Sequence, residues 1–204
     1  MEAFITVEGV AAPMLSPNID TDVIMPKQFL KGIDRGGLDK GLFFDLRFLP
    51  DGNQNPDFVL NQAPWNQAKF LIVGPNFGCG SSREHAVWGL KQVGIRAVIG
   101  TSFAGIFFDN CQRNGVLLIE LDPDQLHLLG QTVSQADEAR VVVDLPNQTI
   151  TTANDTSVTF KIDAMRKQSL LAGLDAIGTT LQRSESIRAF ESAHFERNPW
   201  LANA

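Results

Sequence analysis

The sequence predicts an α/β domain built on a mixed sheet, and three observations carry that prediction. KFLIVG (69–74), REHAVWGLKQV and IRAVIG follow one another as strand, helix and strand in about 30 residues, the pattern of a parallel βαβ unit. FAGIFFDNCQRNG and VLLIEL then repeat helix and strand. Further on, RVVVDL and VTFKI flank the polar stretch PNQTITTANDTS, which reads as an antiparallel hairpin or meander.

The remaining elements follow in chain order. FITVEGV (4–10) has the β-branched and apolar character of a first strand. SPNIDTDVIMPKQFL is dense in Pro, Asn and Asp, so it reads as a structured loop entering a short helix. Residues 31–66 are rich in Gly, Asp, Asn, Gln and Pro, broken only by FFDLRF; they predict a mobile excursion on the surface and no second core. Gly94 and Gly115 close the two central helices. DPDQLHLLGQ carries a proline just inside an N-cap and predicts a further helix. From Asp163 to Phe195 the pattern is helical with breaks at Gly173 and Gly178, giving a C-terminal helical segment over 163–204. No repeat, low-complexity tract or linker divides the chain, so 1–204 reads as a single domain.

Composition narrows the function classes. The chain has 204 residues, 44% of them hydrophobic and 20% charged, as in an ordinary soluble globular protein. A net charge of −6 argues against general nucleic-acid or anionic-membrane binding, both of which need a basic footprint. Two cysteines, Cys79 and Cys111, are too few for a secreted disulfide scaffold. They are also too few for an iron–sulfur cluster, which takes about four thiolates. The opening MEAFITVEGVAAP lacks the basic residues of a targeting peptide, and no apolar run approaches the roughly 20 residues of a membrane span. A reduced, cytoplasmic protein is expected.

The chemistry concentrates in NFGCGSSREH, Asn76 to His85. Ser81 and Glu84 have the Ser-x-x-Glu spacing of a capping box, in which Ser81 accepts from the residue-84 N–H and Glu84 reaches back. On that reading Gly78 and Gly80 turn the chain and nothing reacts. The rival reading makes the segment a carboxylate cradle. It leaves the carboxyl end of a parallel strand, the usual ligand position in such folds, and it opens a helix whose free N–H groups favour an anion. Arg83 adds a planar fork suited to a carboxylate. The spacing and lysine of a phosphate P-loop are missing. Cys79 and His85 are not placed in contact by the sequence: the thiol reads as packing, and His85 as a structural or supporting residue in the first helical turn. His127 and His194 have no neighbouring ligand pattern and read as structural or surface residues.

NFGCGSSREHAVWGL, with NIDTDVIMPKQFL upstream and HFERNPW near the end, resembles the small-subunit family of 3-isopropylmalate dehydratase in the aconitase superfamily. The resemblance spans nearly the whole chain. It implies a swivelling domain of three-layer β/β/α form, and a reaction that moves a hydroxyl between neighbouring carbons by dehydration and rehydration. The substrate implied is 2-isopropylmalate, converted to 3-isopropylmalate through isopropylmaleate. It also implies a separate large subunit that bears a 4Fe–4S cluster as Lewis acid, with no metal held by this chain. By the same resemblance Ser81 is the base, Ser82 and Arg83 bind substrate carboxylates, and the Asp20–Thr21–Asp22 loop adjoins the site, with Asp22 positioning other groups. Gly80 and His85 support it, and Lys27 is a candidate second contact for carboxylate. The superfamily pattern has an arginine downstream of the aspartate, and Lys27, Lys31 and Arg35 offer no secure match to it.

An apolar contact for the isopropyl group is sought among Leu30, Ile33, Leu38, Leu42 and Phe43, which also read as core or partner-facing residues. Two alternatives stay open: a small subunit for a homoaconitate- or citramalate-type acid, and a non-catalytic assembly or RNA-binding module, which the acidic charge disfavours.

Overall fold

The computed structural model describes residues 1–31, 36–81 and 83–201. Its centre is a seven-stranded mixed sheet in the order β4-β3-β2-β1-β5-β6-β7. The strands are β1 (Thr6–Met14), β2 (Ala68–Val73), β3 (Ala97–Gly100), β4 (Leu117–Glu120), β5 (Arg140–Asp144), β6 (Thr149–Thr152) and β7 (Ser157–Thr159). β1 to β4 pair in parallel. β5, β6 and β7 add to the other side of β1 as an antiparallel meander. β1 is therefore the switch between the two halves, and a register shift between Val10 and Ala11 marks where its β2 ladder is offset.

Among the described residues the helices are α1 (Thr21–Ile24), α2 (Phe44–Arg47), α3 (Glu84–Gln92), α4 (Gly105–Asn114), α5 (Pro123–Val133), α6 (Ala164–Ala172), α7 (Ala176–Leu181) and α8 (Ser184–Arg197). Strand alternation sorts the core onto two faces. Leu71 and Val73 of β2 pack with Ala86, Val87 and Leu90 of α3 and with Phe107 and Cys111 of α4. Phe70 and Ile72 pack on the opposite face with Leu126, Leu129 and Val133 of α5 and with Val141, Val143, Ile150 and Val158 of the curled meander. This is an α/β architecture on a mixed sheet, with C-terminal helices attached.

One of three expectations is sharpened and two need correction. The expected hairpin or meander is a meander, because the polar PNQTITTANDTS itself holds a strand: Thr149–Thr152 forms β6, which buries Ile150 and pairs with both flanking strands. Gly178 does not break a helix but lies inside α7; the interruption falls at Gln182 and Arg183, whereas Gly173, at φ +66°, does end α6. The third concerns residues 31–66. The sequence reading puts this excursion on the surface, yet Leu38, Leu42 and Phe43 are buried in the α3-side core. Polar side chains make that possible. Asn61 donates to the carbonyls of Arg47 and Asn55, and the Gln92 carboxamide oxygen accepts from the Leu38 backbone N–H. These bonds, from within the excursion and from α3, satisfy part of its backbone while its apolar side chains turn inward.

Candidate functional site

The site begins with strand direction. β1 and β2 are adjacent and parallel, with Met14 opposite Val73, so the loops that follow them leave the same edge of the sheet. One loop runs from Leu15 into α1, the other from Gly74 into α3. Hydrogen bonds strap the two together along their length. Asn18 N–H donates to the Pro75 carbonyl at 2.9 Å, Gly78 N–H to Ile19 at 2.8 Å, and Thr21 N–H to Cys79 at 2.8 Å. The Asn76 carboxamide adds a bond to Asn18 Oδ1 at 2.8 Å, and the Asn76 N–H donates to Ser102 Oγ beyond β3 at 3.0 Å.

Gly78 is required here. Its φ is +77°, and a Cβ would lie 2.2 Å from Phe107 Cγ, inside the α4 packing.

This strap fixes the predicted residues. Asp20 caps α1 by accepting from the Val23 N–H at 2.8 Å. Thr21 is only 2% exposed, and its hydroxyl donates to the Ser81 carbonyl at 2.8 Å. Gly80, at φ +90°, packs against Asp20 and Thr21. Asp22 forms an ion pair and hydrogen bond with Arg83 Nη1, which also reaches the Met25 carbonyl at 3.5 Å. The Arg83 side chain is 11% exposed, and the rest of its fork has no partner among the described residues. Its hydrogen bond is the main cause that holds the Asp22 carboxyl below its ordinary range; partial desolvation opposes this, and the charges of Arg83 and Lys27 assist it. Lys27 is exposed and sits in a 3₁₀ turn, Lys27–Phe29, near Asp22.

The capping box does not form. α3 starts at Glu84, with Arg83 as an N-cap whose side chain makes no capping bond, so the helix begins too late for Ser81 to cap it. The Ser81 side chain is exposed, and its hydroxyl has no hydrogen-bond partner among the described residues. Glu84 turns away: its Oε1 accepts from Asn114 Nδ2 at 2.7 Å. The same Asn114 nitrogen donates to the Asn110 carbonyl at 2.9 Å, and Asn114 Oδ1 accepts from Trp88 Nε1 at 3.1 Å. His85 is half-buried and packs at 4.8 Å, ring to ring, on Trp88.

Asn114 and Trp88 were not legible as site residues. Asn114 lies 30 positions from Glu84 and reads in sequence only as the end of a helix before Gly115.

Ser82, Ile33 and Arg35 lie outside the described residues. Among the candidates for an apolar substrate contact, Leu38, Leu42 and Phe43 are committed to the core, whereas Leu30 is half-buried. Cys79 is half-buried, and Cys111 is fully buried with its thiol pushed up by burial. No group of three or more His, Cys, Asp or Glu side chains converges as a metal site among the described residues. None of their helices is long and apolar enough to cross a membrane. A cavity of about 190 Å³ between α4 and α6, lined in part by Phe108, Lys161 and Arg166, contains none of the loop residues. The candidate residues Asp20, Thr21, Asp22, Gly80, Ser81 and Arg83 are brought together instead by the two strapped loops.

Comparison with known proteins bears on the family. The family model described as the aconitase C-terminal domain matches residues 1–124, and that of the C-terminal domain of 3-isopropylmalate dehydratase small subunits matches 177–204. A model named LeuD_N matches 128–164. The chain is 59% identical over 201 residues to 3-isopropylmalate dehydratase small subunit 2 of Salmonella typhimurium, covering 98% of this chain and 96% of that one. It is 51% identical to the small subunit of Paramagnetospirillum magneticum, covering 98% and 100%. A crystal structure of a 3-isopropylmalate dehydratase from Methanocaldococcus jannaschii superposes with a TM-score of 0.67 at 25% identity, covering 92% of this chain and 99% of that one.

Proposed function

The chain belongs to the 3-isopropylmalate dehydratase small subunits of the aconitase C-terminal domain family, and on that footing we propose how its residues serve a hydro-lyase of leucine biosynthesis. The substrate is 2-isopropylmalate, and the product is 3-isopropylmalate. The small-subunit identity implies a large-subunit partner; we take that partner to carry the 4Fe–4S cluster, in the cytoplasm. The donor set here suits that division: the sequence has two cysteines, one of them Cys111 sealed in the core, against the roughly four thiolates a cluster takes. When bound, the cluster supplies Lewis acidity toward the departing hydroxyl.

The observation that carries the reading is the Ser81 hydroxyl, left exposed and uncapped beside Arg83 at the start of α3. In this role Ser81 Oγ takes the proton from the carbon next to a substrate carboxylate, and returns one in the rehydration step. A serine hydroxyl is a poor base because its alkoxide is scarce near neutral pH. Helix-end N–H groups and the Arg83 guanidinium favour negative charge there. The edge of the Arg83 fork that has no partner among the described residues grips a carboxylate, oriented by Asp22 on Nη1. Ser82 gives a further carboxylate contact and Lys27 a nearby cation. Thr21 and Gly80 hold the loop, and His85 braces the helix start through Trp88.

The test is Ser81→Ala in the two-subunit enzyme. Loss of a general base costs roughly 10²–10⁴-fold in rate, so turnover of 2-isopropylmalate should fall at least about 100-fold while assembly persists. Near-normal turnover would sink the assignment of Ser81 as base.

A further inference from the structure

Glu84 is the unexpected neighbour of this site. It sits at the first position of α3, next to Arg83, and its spacing from Ser81 is that of a capping box. A free carboxylate there would be drawn to the helix-start N–H groups by the same field that favours a substrate carboxylate. It would also be drawn to the Ser81 segment. Such a residue is a built-in competitor for the substrate.

The structure prevents that competition by holding Glu84 elsewhere. We infer that Asn114 is a positioning residue, whose grip on the Glu84 carboxylate keeps the cradle of Ser81 and Arg83 open for substrate. This rests on the reading of that cradle as the carboxylate site.

The geometry is specific to an asparagine. Its Nδ2 donates both to Glu84 Oε1 at 2.7 Å and to the Asn110 carbonyl at 2.9 Å, while its Oδ1 accepts from Trp88 Nε1 at 3.1 Å. Both ends of the amide are used, so its orientation is fixed by its partners. Asn114 closes α4 immediately before the left-handed Gly115, which holds the carboxamide on a rigid element. Trp88 in turn lies one helical turn beyond Glu84 on α3. The network therefore ties α3 to α4 at the point where α3 begins, and it takes the carboxylate out of the helix-capping position.

Removing the grip should act on substrate binding more than on chemistry. A hydrogen bond to a charged group is lost in Asn114→Ala, and the freed carboxylate then competes with substrate. The expected result in the reconstituted two-subunit enzyme is a KM for 2-isopropylmalate raised by about 10-fold, with kcat changed by less than about 3-fold. Deleting the competitor as well should repair the defect: Asn114→Ala with Glu84→Ala should return KM to within about 2-fold of the parent. A merely structural role for Asn114 predicts the reverse, because the double variant loses more of the α3–α4 contact.

An unchanged KM in Asn114→Ala, or no recovery in the double variant, would overturn the proposal. Should Asn114→Ala fail to assemble, the polarity-swapped pair asks the same question. In Asn114→Asp with Glu84→Gln, the new amide can donate to the new carboxylate, and a near-parental KM is expected; a raised KM rejects the proposal. An unmodified enzyme inactive on 2-isopropylmalate would instead reject the functional reading itself, which keeps the two failures distinct.

Discussion

Replacing Thr21 with valine removes one hydroxyl and keeps the side chain's branched shape. Among the described residues the hydroxyl makes one hydrogen bond: it donates to the Ser81 carbonyl at 2.8 Å from a side chain that is 2% exposed. The substitution puts a methyl group against that carbonyl and leaves it without its donor. Loss of one such bond, with its acceptor part-buried, costs about 1–2 kcal/mol. For a chain of this size that is a fall of roughly 4 °C in Tm. The larger effect should be on rate, because Ser81 is held in place by this bond and by the backbone bond from Thr21 N–H to Cys79. A displacement on the order of 1 Å can cost about 100-fold in turnover. Turnover of 2-isopropylmalate by the assembled enzyme, measured beside thermal unfolding, separates the two effects. Thr21→Ser keeps the donor and should keep most of the rate. A Thr21→Val enzyme that loses stability but turns over normally would refute the claim that Thr21 positions Ser81.

Two further outcomes follow from the same geometry. Asp22 has a folded pKa depressed below its ordinary value near 3.8, chiefly by its hydrogen bond to Arg83; its contribution to stability is therefore full above that value and is lost as pH falls through the depressed one. Asp22→Asn should flatten this acid limb in melts between about pH 2 and 6, and an unchanged limb would show that the pair adds nothing to folding. Gly78→Ala sets a Cβ 2.2 Å from Phe107 at a φ of +77°, and should lower stability by more than about 2 kcal/mol in denaturant titration; a smaller loss would mean that the loop and α4 can separate at little cost.

What the sequence disclosed, and what it hid, divides along physical lines. The central strands and helices were legible because their apolar residues recur at the strand or helix period and their ends carry glycine. Thr149–Thr152 was not, since TITT has one large apolar residue and its strand character comes from being paired on both sides. The burial of Leu42 and Phe43 was hidden by polar neighbours, whose side chains turn out to serve the backbone of the same excursion. Ser-x-x-Glu was a fair signal for a cap, but the pattern records only spacing. It could not reveal that Asn114, far off in the chain, had claimed the glutamate. The grouping of Asp20–Asp22 with Ser81–Arg83 came from resemblance, and its physical cause, two parallel strands ending at one edge, needed the sheet order.

That shared edge has a mechanical consequence. The β1–β2 ladder acts as a ruler: once Met14 stands opposite Val73, the straps from Asn18 to Thr21 leave the two loops little freedom to slide. The separation of Asp22 from Arg83 is therefore set when the protein folds. Little ordering of the strapped stretches, 18–21 and 75–79, is left for the moment of encounter, and those stretches travel with the sheet. A change in the antiparallel meander would tilt them together without altering the distances between them, whereas a single-residue insertion between Met14 and Asp20 would alter those distances at once.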